Sequence, residues 1–305
     1  MICRTLEIGR ATAYRPERPR ARRYRRPSDE VVFAQLKQML RERGSYGYRR
    51  AHRIVNRAFG TGYNRKRIQR VMRLYGLALP VRGRRRRGRR HEGQVECVIS
   101  NQRWCSDVLE IACWNREVVH LAFALDCCDR EVPAHVATAH STTGVEIRRL
   151  MRQTVFARFG NAKPEVPIEW LSDNEGIYTA LETVIQAEQL NLAPITTPVA
   201  SPESNGMAEA FVNTFKRDYV AGGDLTSAAR VIEQIPGWIE DYNTFAPHSS
   251  LGHRSPTEFR REQQTVATPG VSRNRGQSSC SWGSREPPGS PRIPRNSSAL
   301  RSAAP

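Results

Sequence analysis

The sequence predicts a small all-α helix-turn-helix domain followed by an α/β domain, a mixed five-stranded sheet flanked by helices. Three observations predict it. Apolar residues recur at helical spacing up to residue 75. From residue 104 the pattern changes to three strands, helix, strand, helix, strand, helix. The charge changes sign between the two regions. Residues 1–91 hold 26 Arg and 2 Lys against 5 acidic residues, a net +23, whereas residues 92–260 carry −10. A basic arm on an acidic body fits nucleic-acid binding by the arm, where cations neutralise phosphates and release counterions.

The first 27 residues are rich in Arg and Pro and read as a flexible basic arm. Ser28 has the character of an N-cap, with Asp29 and Glu30 in the first turn, where the helix dipole favours acids. Val32, Phe33, Leu36, Met39 and Leu40 form the apolar stripe, and Gly44 is a candidate left-handed terminus. A second helix is expected over 49–59, burying Ala51, Ile54, Val55 and Ala58. After a Gly-containing turn, Asn64 caps a third helix over 65–75, which buries Ile68, Val71, Met72 and Tyr75. Its other face carries Arg65, Lys66, Arg67, Arg70 and Arg73, as expected of a helix entering the major groove of double-stranded DNA. The run VRGRRRRGRR at 81–90, with Arg84, Arg85, Arg86 and Arg87, reads as an Arg-rich linker or phosphate-tracking strap. The expected organisation is arm 1–27, helix-turn-helix 28–80, linker 81–100, core 101–260 and disordered tail 261–305.

Within the core, strands are expected at 104–111, 118–125, 132–138, 168–171 and 194–197. Helices are expected at 145–159, 178–190, from Gly206 onward, and at 225–242 with an interruption near Pro236. The sequence has no apolar run long enough to span a membrane and no secretory signal. Its seven scattered cysteines suit reduced thiols in a cytoplasm, and none has zinc-site spacing.

Three carboxylates stand out. Asp107 lies inside the strand WCSDVLEI, Asp173 follows a short apolar strand, and Glu209 lies on the helix after a Pro/Ser loop. A carboxylate within an apolar strand is costly unless paired or ligated. Converging carboxylates bind Mg²⁺ or Mn²⁺, and two such ions about 4 Å apart support phosphoryl transfer. Each aspartate taken singly also fits a turn or cap residue, as Asp126 and Asp129 do in their expected hairpin turn. Glu110 and Glu175 are lesser acidic candidates. Lys216, seven residues after Glu209, shares its helical face.

The segments QRWCSD, ALDCCDRE, EWLSDN, SPESNGMAEAFVNTFKRDY and PHSSLGHRSPTEF, in that order, resemble bacterial insertion-sequence transposases with a retroviral-integrase core. More narrowly, the chain resembles the second-frame product of the family that makes its transposase by frameshifting. SYGYRR at 45–50 fits the helix-turn-helix region of that family. The resemblance implies an RNase H-like fold and an Asp-Asp-Glu triad of Asp107, Asp173 and Glu209 as catalytic metal ligands. It also implies Lys216 as a contact to the transposon end, with Asn205 and Gly206 at the loop and helix entry. The implied reaction is metal-dependent cleavage at the element's terminal repeats, then attack of the 3′-hydroxyl on target DNA. The implied partners are a second copy on DNA and the first-frame protein, and the implied location is the cytoplasm, on the nucleoid. The sequence departs from the family's Asn-Gly at Asn174-Glu175-Gly176. An RNase H-like nuclease and a non-catalytic DNA-binding regulator of transposition are the rival readings.

Overall fold

The computed structural model describes residues 26–80, 97–196 and 206–267. The arm at 1–25, the strap with Arg84, Arg85, Arg86 and Arg87, the loop with Asn205, and residues 268–305 lie outside the described residues.

Three helices form first: α1 (Asp29–Leu40), α2 (Tyr48–Ala58) and α3 (Arg65–Leu74). Val32 and Leu36 of α1, Ala51, Ile54 and Val55 of α2, and Ile68, Val71 and Met72 of α3 meet in one buried cluster around Tyr46. Asn64 caps α3, its side chain accepting from the Lys66 amide at 2.8 Å. Ala58, expected inside, is exposed at the end of α2. Ser28 makes no capping bond; its Oγ accepts from Arg67 instead. Gly44 is not left-handed, because the chain leaves α1 at Arg41.

The α1–α3 packing is tied by one acid. Asp29 is fully buried and accepts from Arg67 Nε at 3.2 Å and Arg70 Nη2 at 2.7 Å. Removing the acid would strand two guanidinium groups in partly buried positions. Asp29→Ala is therefore expected to cost about 3 kcal/mol, measured by thermal melting of the full chain.

The second region is a sheet with the strand order β3-β2-β1-β4-β5. The strands are β1 (Arg103–Ala112), β2 (Val118–Asp126), β3 (Ala134–Thr138), β4 (Ile168–Ser172) and β5 (Leu192–Thr196). β1, β2 and β3 form an antiparallel meander, and β4 and β5 add in parallel beyond β1. This mixed five-stranded sheet is the RNase H-like arrangement. Parallel pairing requires crossovers, which α4 (Gly144–Phe159), short α5 (Gly176–Thr179) and α6 (Leu181–Gln189) supply.

Side-chain alternation along β1 divides the core. Trp104 joins Ile147, Leu150 and Met151 of α4 on one face. Cys105, Leu109 and Ile111 join α7 (Gly206–Asp218) and α8 (Ala228–Thr244) on the other. Helix α8 runs unbroken through Pro236. Its stripe of Val231, Ile235, Ile239 and Tyr242 is buried against the sheet, which offsets the roughly 3 kcal/mol a mid-helix proline costs. Helix α9 (Pro256–Ala267) extends into the stretch expected to be a disordered tail. Its Arg260 pairs with Glu131 at 3.1 Å, which gives the helix a docking site absent from its own composition.

The two regions belong to one compact unit, Met1–Ala267. Arg50 of α2 meets Asp218 at 2.7 Å, Arg57 meets Glu258 at 2.7 Å, and Arg43 pairs with Asp241. Phe245, after α8, packs on the three-helix cluster under the guanidinium groups of Arg43 and Arg57.

Candidate active site

Asp107 sits on β1 between Cys105 and Leu109, so strand alternation turns it toward the α7 face. Strands β1 and β4 pair in parallel with Cys105 beside Leu171. Extended by two residues, that register sets Asp173 level with Asp107. Asp173 leaves the end of β4, where its Oδ1 accepts from the Glu175 amide at 3.2 Å. Helix α7 buries Ala208, Phe211 and Phe215 against the sheet. The neighbouring stripe of Glu209, Asn213 and Lys216, at spacings of four and three, stays outside.

Asp107, Glu110, Glu175, Glu209 and Lys216 line a cleft of about 570 Å³, with Ser141 and Thr142 at its edge. Burial pushes the Asp107 carboxyl up to about 6, and Asp173, Glu175 and Glu209 add repulsion. The Val108 amide, donating at 2.8 Å, opposes the rise. Burial, with Asp173 and Glu110 nearby, also raises Glu175. Behind Asp107, the hydroxyl of the fully buried Ser106 meets the buried Tyr178 at 3.0 Å. Among the described residues, no group of three or more His, Cys, Asp or Glu side chains converges closely enough to hold an ion as it stands. The donor set is all carboxylate oxygen, which suits Mg²⁺ or Mn²⁺.

Sequence reasoning missed His120 and the Ser141-Thr142 edge. His120 pairs with Glu110 across β1 and β2, Nδ1 to Oε1 at 3.6 Å, and lines the cleft. The alternation of β2 already placed it on one face of the sheet; its proximity to the carboxylates required the register.

Of the basic residues, Arg65, Lys66 and Arg73 are exposed on α3. Arg67 and Arg70 instead turn toward Asp29. Lys216 makes no ion pair among the described residues, so its partner is not Glu209.

The family descriptions "Integrase core domain" match residues 98–202 and 190–256, and "HTH-like domain" matches residues 28–85. Transposase InsD of insertion element IS2 from Escherichia coli K12 is 40% identical over 263 residues, spanning 83% of this chain and 85% of that protein. The chain belongs to the insertion-element transposases. An uncharacterized protein of insertion element IS136 from Agrobacterium fabrum is 50% identical over 177 residues, 58% of this chain and 91% of that one. Among solved structures, the HTLV-2 integrase catalytic core in complex with magnesium aligns with a TM-score of 0.42 at 13% identity. It covers 53% of this chain and 98% of that one. Family membership makes the transposase an enzyme of the polynucleotidyl-transferase type that acts on DNA. Among the described residues, no helix of the transposase is long and apolar enough to cross a membrane.

Proposed function

We propose that Asp107, Asp173 and Glu209 are the catalytic carboxylates of the transposase, which cleaves at the ends of its element and joins the freed 3′-hydroxyl to target DNA. What supports this reading is the cleft that Asp107 of β1 and Glu209 of α7 line together, with Asp173 two residues beyond the β1–β4 pairing and close enough to repel Asp107. In the first step a water oxygen attacks phosphorus, the bond to the 3′-oxygen breaks, and that oxygen takes up a proton. In the second, the 3′-hydroxyl loses its proton and its oxygen attacks a target phosphorus, the target's own bond from phosphorus to its 3′-oxygen breaks, and that released oxygen takes up a proton. Mg²⁺ or Mn²⁺, as two ions on the three carboxylates, would activate the attacking oxygen and neutralise the leaving one. The transposase itself supplies an electronegative cleft floor, and Lys216 supplies a cation at its rim to bind the phosphate of the transposon end.

Residues 28–80 act as the helix-turn-helix domain, 81–100 as the linker and 101–260 as the integrase core, with residues 1–27 and the chain beyond α9 as flanking arm and tail. Arg65, Lys66, Arg73 and the strap of Arg84, Arg85, Arg86 and Arg87 contact double-stranded DNA, in the terminal repeats and the target. Arg67 and Arg70 hold α3 in place through Asp29. Pairing two ends calls for a homo-oligomer on DNA, with the first-frame protein of the element as a further partner, in the cytoplasm on the nucleoid.

Labelled terminal-repeat duplex incubated with target DNA and Mg²⁺ is expected to give joined strands. Glu209→Gln is expected to lower joining by about a thousand-fold, the worth of several kcal/mol of transition-state stabilisation. Nicks without joining would instead identify an RNase H-like nuclease. Salt-sensitive binding without cleavage would identify a regulator.

A further inference from the structure

Helix α2 has two basic faces with different fates. Arg50 and Arg57 point to Asp218 and Glu258 and fasten the helix to the sheet region. Arg49, His52 and Arg53 occupy the other face, where they line a second cleft of about 580 Å³. Arg65 and Lys66, in the first turn of α3, form its opposite wall. Its third side is the turn Gly252-His253, which belongs to the core region rather than to the three helices. Among the described residues, no carboxylate lines this cleft. Among the described residues, Arg53, Arg65 and Lys66 make no ion pair. A concentration of cations without counter-charge is unfavourable unless an anion arrives.

The turn adds an independent observation. Gly252 and His253 both hold φ of 64°. For His253 that left-handed backbone is strained, and strain of this kind persists only where surroundings over-determine it. Here they do: the His253 amide donates to the His248 carbonyl at 2.8 Å, and the His248 amide donates to the Arg254 carbonyl at 2.9 Å. His253 Nδ1 is nevertheless buried without a hydrogen-bond partner.

We propose that this cleft binds a backbone phosphate of DNA, gripped jointly by α2, by the first turn of α3 and by His253 of the core. It rests on the DNA-handling role of the transposase but not on its catalytic carboxylates. The ligand is a phosphodiester because the cleft gathers Arg49, Arg53, Arg65 and Lys66, four cations that suit phosphate oxygens, while Asn64, its lining amide, already spends its oxygen on capping α3. The docking of α2 on Asp218 and Glu258 brings the turn opposite the helices, so the site requires both regions together.

The test is duplex binding by the full-length transposase in EDTA, which silences cleavage and separates this proposal from that of the catalytic triad. Fluorescence anisotropy is read from low to high salt for a terminal-repeat duplex and an unrelated duplex. The variants are Arg53→Gln and His253→Asn, since Asn tolerates a left-handed backbone. Each is expected to weaken binding to both duplexes by a similar factor. Arg53→Gln is expected to flatten the log-affinity against log-salt slope by about one, the loss of one phosphate contact. The proposal is overturned if both variants keep wild-type melting and wild-type slope. It is also overturned if orthophosphate shifts the His253 ring resonances while duplex affinity is untouched by either variant, which marks a free-anion site. Should His253→Asn lower melting, the Arg53→Gln slope alone decides.

Discussion

Asp107→Asn is expected to impair strand joining severely and at the same time to make the metal-free transposase more stable. The loss is expected to be about a thousand-fold, as for Glu209→Gln. The gain follows from burial. The Asp107 carboxyl has an ordinary value of 3.8 and is pushed up to about 6 in the folded chain. Below about pH 3 it is neutral in both states and its burial carries no ionic penalty. As pH rises, the unfolded chain ionises first, so stability falls between pH 4 and 6 and then levels off. Asparagine lacks this titration. At pH 7.5 the variant is expected to gain up to about 3 kcal/mol, a gain that should shrink toward nothing as pH is lowered to about 3. Added Mg²⁺ should raise the melting temperature of the parent and leave the variant unmoved. Equal melting at pH 7.5 without metal would show that the cleft does not strain this carboxylate.

Arg158→Leu is expected to cause a large loss of stability. Arg158 is wholly buried at the end of α4. It donates to both carboxylate oxygens of Asp129 at 3.1 Å, meets Glu131 at 3.1 Å and lies 3.8 Å from Asp126. Asp126 in turn accepts from the amides of Asn101, Cys128 and Asp129 and so shapes the turn between β2 and β3. Leucine fills the volume but leaves two buried acids without their cation. Breaking one side of such a group costs about 3–5 kcal/mol. Chemical denaturation of the full chain checks it, and a change below about 1 kcal/mol would mean that the amide bonds alone satisfy the two aspartates.

These residues mark how much of the molecule was legible in the sequence. Asp126 and Asp129 could be read as turn residues, because local backbone bonding makes aspartate a turn former. Arg158, 29 residues beyond Asp129, could not be joined to them by any periodicity. The same holds for Asp29: its place in a first helical turn was readable, but its role as the hub of Arg67 and Arg70 needed the fold. The succession of strands and helices along the chain was readable because each element shows its own period, whereas the order of strands across the sheet was not. The site was readable only in part. Alternation on β1 could aim Asp107, yet its being level with Asp173 depends on a pairing between strands more than 50 residues apart. Pro236 misled, because a local rule about proline was overruled by burial along the rest of α8.

Asp218, the last residue of α7, accepts from Ser45 at 2.5 Å and pairs with Arg50 at 2.7 Å. Glu209 stands nine residues earlier on the same helix, about 13.5 Å away at 1.5 Å per residue. One rod thus has the proposed chemistry near its start and the three-helix region fastened to its end. Because α7 is rigid, the three-helix region and Glu209 move as one piece, so DNA held by the proposed cleft of α2 and α3 would meet Glu209 at a fixed offset.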